Sequence, residues 1–221
     1  MKFLFKYATR SRPQIFKQII QTYVSLFSNN HEYQWIISAD TDDATMNNEM
    51  IKGFVKQIPN ASIFYAAHQN KIEAINADME KASDFDILFV VSDDMRPQEK
   101  GFDDIIAKDM MYYFPNLDGA LHYNDGCCGK DKTITLSIMG KKLYDYFGYI
   151  YHPDYKSFYC DNEFTEVVKS LNKHVYIDRV VVKHEYKGFK MGADSLYQTN
   201  SKKGREDSAI FARRKAAGFP K

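Results

Sequence analysis

Asp93 and Asp94 close the most apolar run in the chain, Ile87-Leu-Phe-Val-Val-Ser92, and Arg96-Pro97 follows at once. Five apolar residues, β-branched or aromatic apart from one leucine, predict a strand buried on both faces. Pro97 cannot continue a central strand, so the two carboxylates fall where the chain leaves the sheet. In an open α/β sheet that edge is where ligands bind. Adjacent aspartates there are hard oxygen ligands for a divalent cation, and such a cation neutralises a diphosphate. The competing reading is an acidic turn that caps a helix.

Other strand ends carry matching chemistry. Tyr7-Ala8-Thr9-Arg10-Ser11-Arg12-Pro13 follows the first predicted strand, Asp40 the second and His68-Gln-Asn-Lys71 the third. A nucleoside diphosphate needs a carboxylate for base or ribose donors, and a basic group and a metal for its phosphates. The chain has neither Gly-x-Gly-x-x-Gly nor a Gly-Lys-Ser/Thr loop, so dinucleotide and P-loop readings lack their signature.

The elements that must position these residues alternate. Residues 3–7, 33–39, 62–66 and 86–91 read as strands; 47–57, 71–81 and 102–111 read as helices. A helix after Ser11-Arg12-Pro13, with a capping serine and a proline in its first turn, buries a stripe from Ile15 to Phe27. Four βα steps predict an α/β fold, a mostly parallel central sheet flanked by helices on both faces. After Pro115 the rhythm changes: strands at 118–123, 133–139 and 174–182, helices at 141–147, 162–171 and 206–217. One domain is expected over 1–221, with a nucleotide half (1–114), an acceptor half (115–200) and a basic tail (201–221).

Composition narrows the class. With 44% hydrophobic and 15% aromatic residues, disorder is excluded. No apolar stretch approaches the roughly 20 residues of a membrane span. Three cysteines, two of them adjacent, form no disulfide or zinc pattern and fit a reducing, cytoplasmic setting. The net charge of +1 argues against coating nucleic acid by charge alone. Residues 201–221 hold seven Lys/Arg against two Asp/Glu, leaving an acidic body. A basic tail on an acidic body suits a diphosphate, an anionic acceptor or an anionic surface, or is a solvated helix face.

Taken in order, these segments resemble the inverting glycosyltransferases of the GT-A fold, close to glycosyltransferase family 2. Thr9-Arg-Ser-Arg-Pro13 is similar to the family's opening, with serine at 11 where glycine is usual. Ser38-Ala-Asp-Thr-Asp-Asp-Ala-Thr45 resembles its nucleotide segment, Asn70-Lys-Ile-Glu-Ala-Ile-Asn76 its helix start without the glycine, and Ser92-Asp93-Asp94 its DxD metal motif. Cys160-Asp-Asn-Glu163 stands where the family has a Glu-Asp pair. The likeness spans residues 3–190. It implies that Ala8, Thr9, Arg12, Asp40, Lys71 and Asp93 bind a nucleotide-sugar, most readily a UDP-sugar, and that Asp94 binds Mn²⁺ or Mg²⁺. His184, after a strong late strand, would be a further metal ligand or else a surface histidine. Asp161 would be the general base, with Glu163 as a competing carboxylate and helix capping as the structural alternative.

The acceptor is left open: a saccharide or glycan, a lipid-linked glycan, a protein, or hydroxymethylated pyrimidines in DNA. The last would be typical of small virus-encoded members, which would work in the host cytoplasm. Tyr144, Tyr146, Phe147, Tyr149, Tyr151, Tyr155, Phe158 and Tyr159 form either a sugar-binding wall or a core under a lid. Lys202, Lys203 and Arg205 could close over the diphosphate, and Arg213-Arg214-Lys215 could hold an anionic acceptor. Two other classes compete: a nucleotidyltransferase of similar build, and a non-catalytic nucleotide-sugar or glycan binding protein.

Overall fold

The computed structural model describes residues 1–127, 132–185 and 203–220. Strand β1 (Lys2–Thr9) lies between β2 (Glu32–Asp40) and β4 (Ile87–Val91), with β3 (Ala61–Ala66) outside β2. All of these pairings are parallel. Beyond β4 the sheet continues through β7 (Ile138–Gly140), β6 (Ala120–Tyr123) and β8 (His174–Ile177). There β4–β7 and β6–β7 are antiparallel and β6–β8 is parallel. A separate antiparallel ribbon pairs β5 (Met95–Pro97) with β9 (Val182–His184). The expected mostly parallel sheet is therefore observed.

Period-2 alternation along β1 builds two cores. Phe3, Phe5 and Tyr7 pack with Phe16, Ile19, Ile20 and Tyr23 of α1 (Pro13–Leu26) and with Phe102 and Ile106 of α4 (Phe102–Tyr113). Leu4 faces the other way, toward Ile72 of α3 (Lys71–Asn76), Leu143 of α5 (Lys141–Phe147) and Phe164 of α6 (Cys160–Ser170). Lys6 breaks that second pattern. It is fully buried, and its ammonium donates to Ser38 Oγ, which donates to Asp78.

Several expected boundaries move. Ser11 does not cap α1: the N-cap is Arg12 without a side-chain bond, while Pro13 takes the first turn as expected. Ser11 instead adopts φ 59°, the left-handed conformation that glycine occupies without penalty. Helix α2 (Glu49–Lys56) starts later than read, capped by Asn48. Helix α3 stops at Asn76 because that side chain is taken by Ile150 and Tyr151 backbone groups, and Asp78 then turns left-handed. Of the strand expected at 133–139, only Ile138–Gly140 is regular. The strand expected at 174–182 splits, because Arg179 N–H turns back onto Ile177 C=O and carries the chain from the sheet edge into the ribbon. Helix α7 (Gly204–Ala216) closes the described chain.

Candidate active site

Parallel pairing levels the carboxyl ends of the first strands. Tyr7 sits opposite Ile37 and Val91, and Thr9 opposite Ala39. Asp93 and Asp94 follow β4 in a turn, so they do not cap a helix. Asp93 accepts from the Tyr7 hydroxyl and lies 2.8 Å from an Arg12 guanidinium nitrogen. That links the loop after β1 to the loop after β4.

Asp94 is placed against His184 by the ribbon. Met95 is the register partner of His184, and Glu185 N–H donates to the Asp94 carbonyl at 2.7 Å. Asp94 Oδ2 and His184 Nε2 are 3.2 Å apart, and His184 Nδ1 is 3.6 Å from Asp125 Oδ2. Burial works to raise the Asp94 carboxyl. Hydrogen bonds from His184 and Ser92, with the charges of His184 and Lys71, outweigh it and hold the group well below the usual carboxylate range. Burial also works to lower His184, but Asp94 and Asp125 together raise it above an ordinary imidazole.

The Asp94 carboxylate and the His184 Nε2 imidazole nitrogen are donors that suit Mn²⁺ or Mg²⁺, while Asp125, on the other ring nitrogen, orients the imidazole. Asp125 was missed in the sequence. The available signal was its place just after β6, at a strand end like the other site aspartates. A second acidic cluster, His31 with Asp103 and Asp104, has ligand atoms close enough for an ion. Asp103, however, is occupied by Ser28 and Tyr33, and His31 by the N-terminal amine, beside the starts of β1 and β2.

Asp40 does not present a vacant carboxylate. One oxygen contacts Arg10 and the other lies 2.8 Å from His68 Nδ1. Arg10 also holds Asp42 at 2.7 and 3.0 Å. Thr9 Oγ1 and His68 Nε2 are buried without a hydrogen-bond partner among the described residues. Buried polar atoms are rarely left so, which marks this end of β1 and β2 as a place that a polar ligand would complete. Ala8, half-buried opposite Ser38, contributes backbone alone.

Lys71 opens α3 and makes no ion pair among the described residues, yet its charge acts on Asp94, Asp161 and Cys160. Asp161 sits inside the first turn of α6, whose N-cap is Tyr159, so the capping alternative does not hold. Its carboxylate accepts from Asn162 N–H at 2.9 Å. Burial raises the Asp161 carboxyl above its ordinary value, with Lys71 and His184 pulling less strongly the other way. Asp94, His184, Lys71 and Asp161 thus share one electrostatic neighbourhood.

Glu163 is elsewhere engaged. Both its oxygens are bound by Arg214, at 2.8 and 2.9 Å, and the Tyr155 hydroxyl adds a bond of 2.8 Å. It is a fixed counter-ion and not the competing base. The same contact corrects the reading of the tail, since Arg213 and Arg214 meet Asp154 and Glu163 and Lys215 meets Glu166. Lys202 lies outside the described residues. The aromatic stretch divides: Tyr151 and Tyr155 are buried core, with Tyr151 bonded to Ser137, Tyr146 is exposed, and the other five are partly buried. A cavity of about 40 Å³ between Tyr149, Phe164 and Phe219 is too small for a sugar ring.

No protein-family model matches the sequence, and no curated protein matches it. Solved structures do match. The mannosyltransferase PcManGT from Pyrobaculum calidifontis, in complex with GDP-Man and Mn²⁺, aligns over 100% of this chain at TM-score 0.69 and 11% identity. TarS of S. aureus, residues 1–349 in complex with UDP-GlcNAc, aligns over 88% at TM-score 0.62 and 15% identity. The same TarS fragment with UDP aligns over 83% at TM-score 0.61 and 14% identity. The chain spans 65% of the mannosyltransferase and 60–61% of the TarS fragment, less than two thirds of each. At such identities the likeness establishes the fold, which is GT-A. Among the described residues no helix is long and apolar enough to cross a membrane.

Proposed function

We propose that this chain is a metal-dependent, inverting glycosyltransferase that moves a sugar from a UDP-sugar to an acceptor hydroxyl. The observation that carries the reading is the meeting of Asp93, Asp94 and His184 at the carboxyl ends of β1 and β4, with Asp161 at the start of α6 in the same electrostatic neighbourhood.

Asp161 takes the proton of the acceptor hydroxyl as its oxygen attacks the anomeric carbon. The bond from that carbon to the diphosphate breaks, and its electron pair stays on the phosphate oxygen. One carboxylate acting on the face opposite the leaving group gives inversion. Asp94 and His184, with Asp125 beside them, would hold Mn²⁺ or Mg²⁺, which supplies charge stabilisation for a diphosphate. Lys71 adds a positive charge there without needing a metal. Asp93, held by Tyr7 and Arg12, would accept from the ribose hydroxyls. Asp40 acts on the base through His68: it holds Nδ1, so that Nε2 and Thr9 Oγ1 remain to meet the nucleotide.

A nucleotidyltransferase of this build would want a glycine-rich basic loop after β1, and residues 8–13 contain no glycine. A binding protein would need no isolated, proton-accepting carboxylate at Asp161. The nucleotide reading is tested by calorimetric titration of UDP, GDP, CDP and ADP with and without Mn²⁺. Metal-dependent binding of UDP is expected, and Asp94→Asn should remove the Mn²⁺ dependence while the fold survives. Failure of every diphosphate to bind the folded protein would overturn the reading.

A further inference from the structure

We infer that the cleft between Phe158, Tyr159 and the start of α7 is the acceptor subsite, and that it takes an anionic saccharide, a sugar bearing a phosphate or carboxylate group. The inference rests on the transferase reading above.

The cleft is open, about 510 Å³, and is lined by Phe158, Tyr159, Gly204, Arg205 and Ser208. That volume lies in the range of small-ligand sites and exceeds one sugar ring. Its two walls are locked together. Asp207, fully buried on α7, accepts the backbone N–H groups of Lys156, Ser157 and Phe158 at 2.9, 2.9 and 2.8 Å. In the first turn of α6 and two turns further along α7, the Glu163–Arg214 pair fastens the helices again. A cleft held in this way is organised before anything binds.

Tyr159 is held at φ 63°, a conformation that a bulky residue adopts only when its surroundings impose it. Its ring is tilted against Phe211, with centroids 5.6 Å apart. Two residues on lies Asp161. Tyr159 is the N-cap of α6 and Asp161 lies in its first turn, so the cleft wall leads into the turn that carries the proposed base.

Charge selects the kind of saccharide. Lys156, Arg213, Arg214 and Lys215 around α7 are each paired with a carboxylate. Arg205, on the cleft wall, has no ion pair among the described residues. An aromatic face with an unpaired guanidinium suits a sugar whose anionic group the arginine can grip through two N–H donors.

The test is an NMR titration of the full chain with glucose 6-phosphate, glucuronate and glucose, run beside the UDP–Mn²⁺ titration. The two charged sugars should bind at least tenfold more tightly than glucose. Arg205→Gln should weaken them about tenfold, while Arg213→Gln, which removes the same charge outside the cleft, leaves them unchanged. Tyr159→Asn, which tolerates positive φ, should weaken all three sugars. Equal losses in Arg205→Gln and Arg213→Gln would reduce the effect to bulk charge and overturn the inference. So would a loss of UDP affinity in Arg205→Gln with sugar binding intact, which would assign the arginine to the donor diphosphate. Binding of hydroxymethylated DNA with none of the sugars would overturn it too. If UDP binds and the sugars do not, the subsite fails and the transferase stands; the reverse result leaves the cleft and removes the transferase reading.

Discussion

Asp161 and Glu163 sit two residues apart on one helix and belong to opposite regions of the molecule. Glu163 faces the clasp formed with α7, where a guanidinium and a phenol satisfy both oxygens. Asp161 faces the site, where Lys71 and His184 act only through their field and its bonds come from backbone N–H groups of its own turn. The contrast teaches what separates a structural carboxylate from a reactive one here. Glu163 is buried with a permanent counter-ion, whereas Asp161 is partly buried without one among the described residues. A buried pair broken on one side is costly, whereas a buried carboxylate without a partner is already under strain.

That contrast can be broken most sharply with Asp161→Asn. Turnover, followed as UDP release from UDP-sugars, should fall by about a thousandfold. The same change should raise the melting temperature at neutral pH. The sign follows from linkage: a carboxyl whose pKa rises on folding destabilises the fold once ionised, and this penalty is absent in acid and grows as pH rises through the folded value. For the same reason the wild-type rate should fall on the acid side at a pH above that of an ordinary aspartate. A variant that loses both activity and stability would make Asp161 structural.

Glu163→Gln should behave in the opposite sense. Leaving Arg214 buried without its partner should cost about 3 kcal/mol, seen as a drop in melting temperature, with UDP affinity in the folded protein unchanged. Arg214→Met combined with Glu163→Gln should recover part of that loss. If Glu163→Gln instead abolishes turnover at full stability, the two carboxylates have exchanged roles. The smallest effect is expected at Ser11→Gly. Relief of a left-handed serine, partly offset by glycine's extra chain entropy, should stabilise by about 0.5 kcal/mol. A destabilisation would mean that the serine side chain is needed there.

Legibility in the sequence followed the range of the interactions. Strands β1 to β4 and the residues at their ends were readable because periodicity and strand-end position are local properties. The departure from the family pattern at position 11 was visible as well, although its backbone conformation was not. The choice between Asp161 and Glu163 was hidden, because Arg214 and Tyr155 reach Glu163 from 51 and 8 residues away. The break at Arg179 was hidden behind a run of apolar residues on both sides, and with it the ribbon that sets His184 beside Asp94. His68 was legible only as a polar residue at a strand end and Asp125 passed unnoticed, because nothing near them in the chain says which partner they meet. The tail looked like free positive charge because its acids lie in other helices.

Lys6 gives the folding reaction an unusual proton balance. Burial lowers its ammonium from an ordinary 10.5 to about 8, despite the nearby charges of Asp78 and Glu80. Below about pH 8 the protein carries a desolvated charge that unfolding would return to water, and that penalty fades as pH climbs toward 10.5. Folding in this window sheds a proton. The calorimetric enthalpy of unfolding near pH 9 should therefore change with the ionisation heat of the buffer, and Lys6→Met should abolish that share of the dependence.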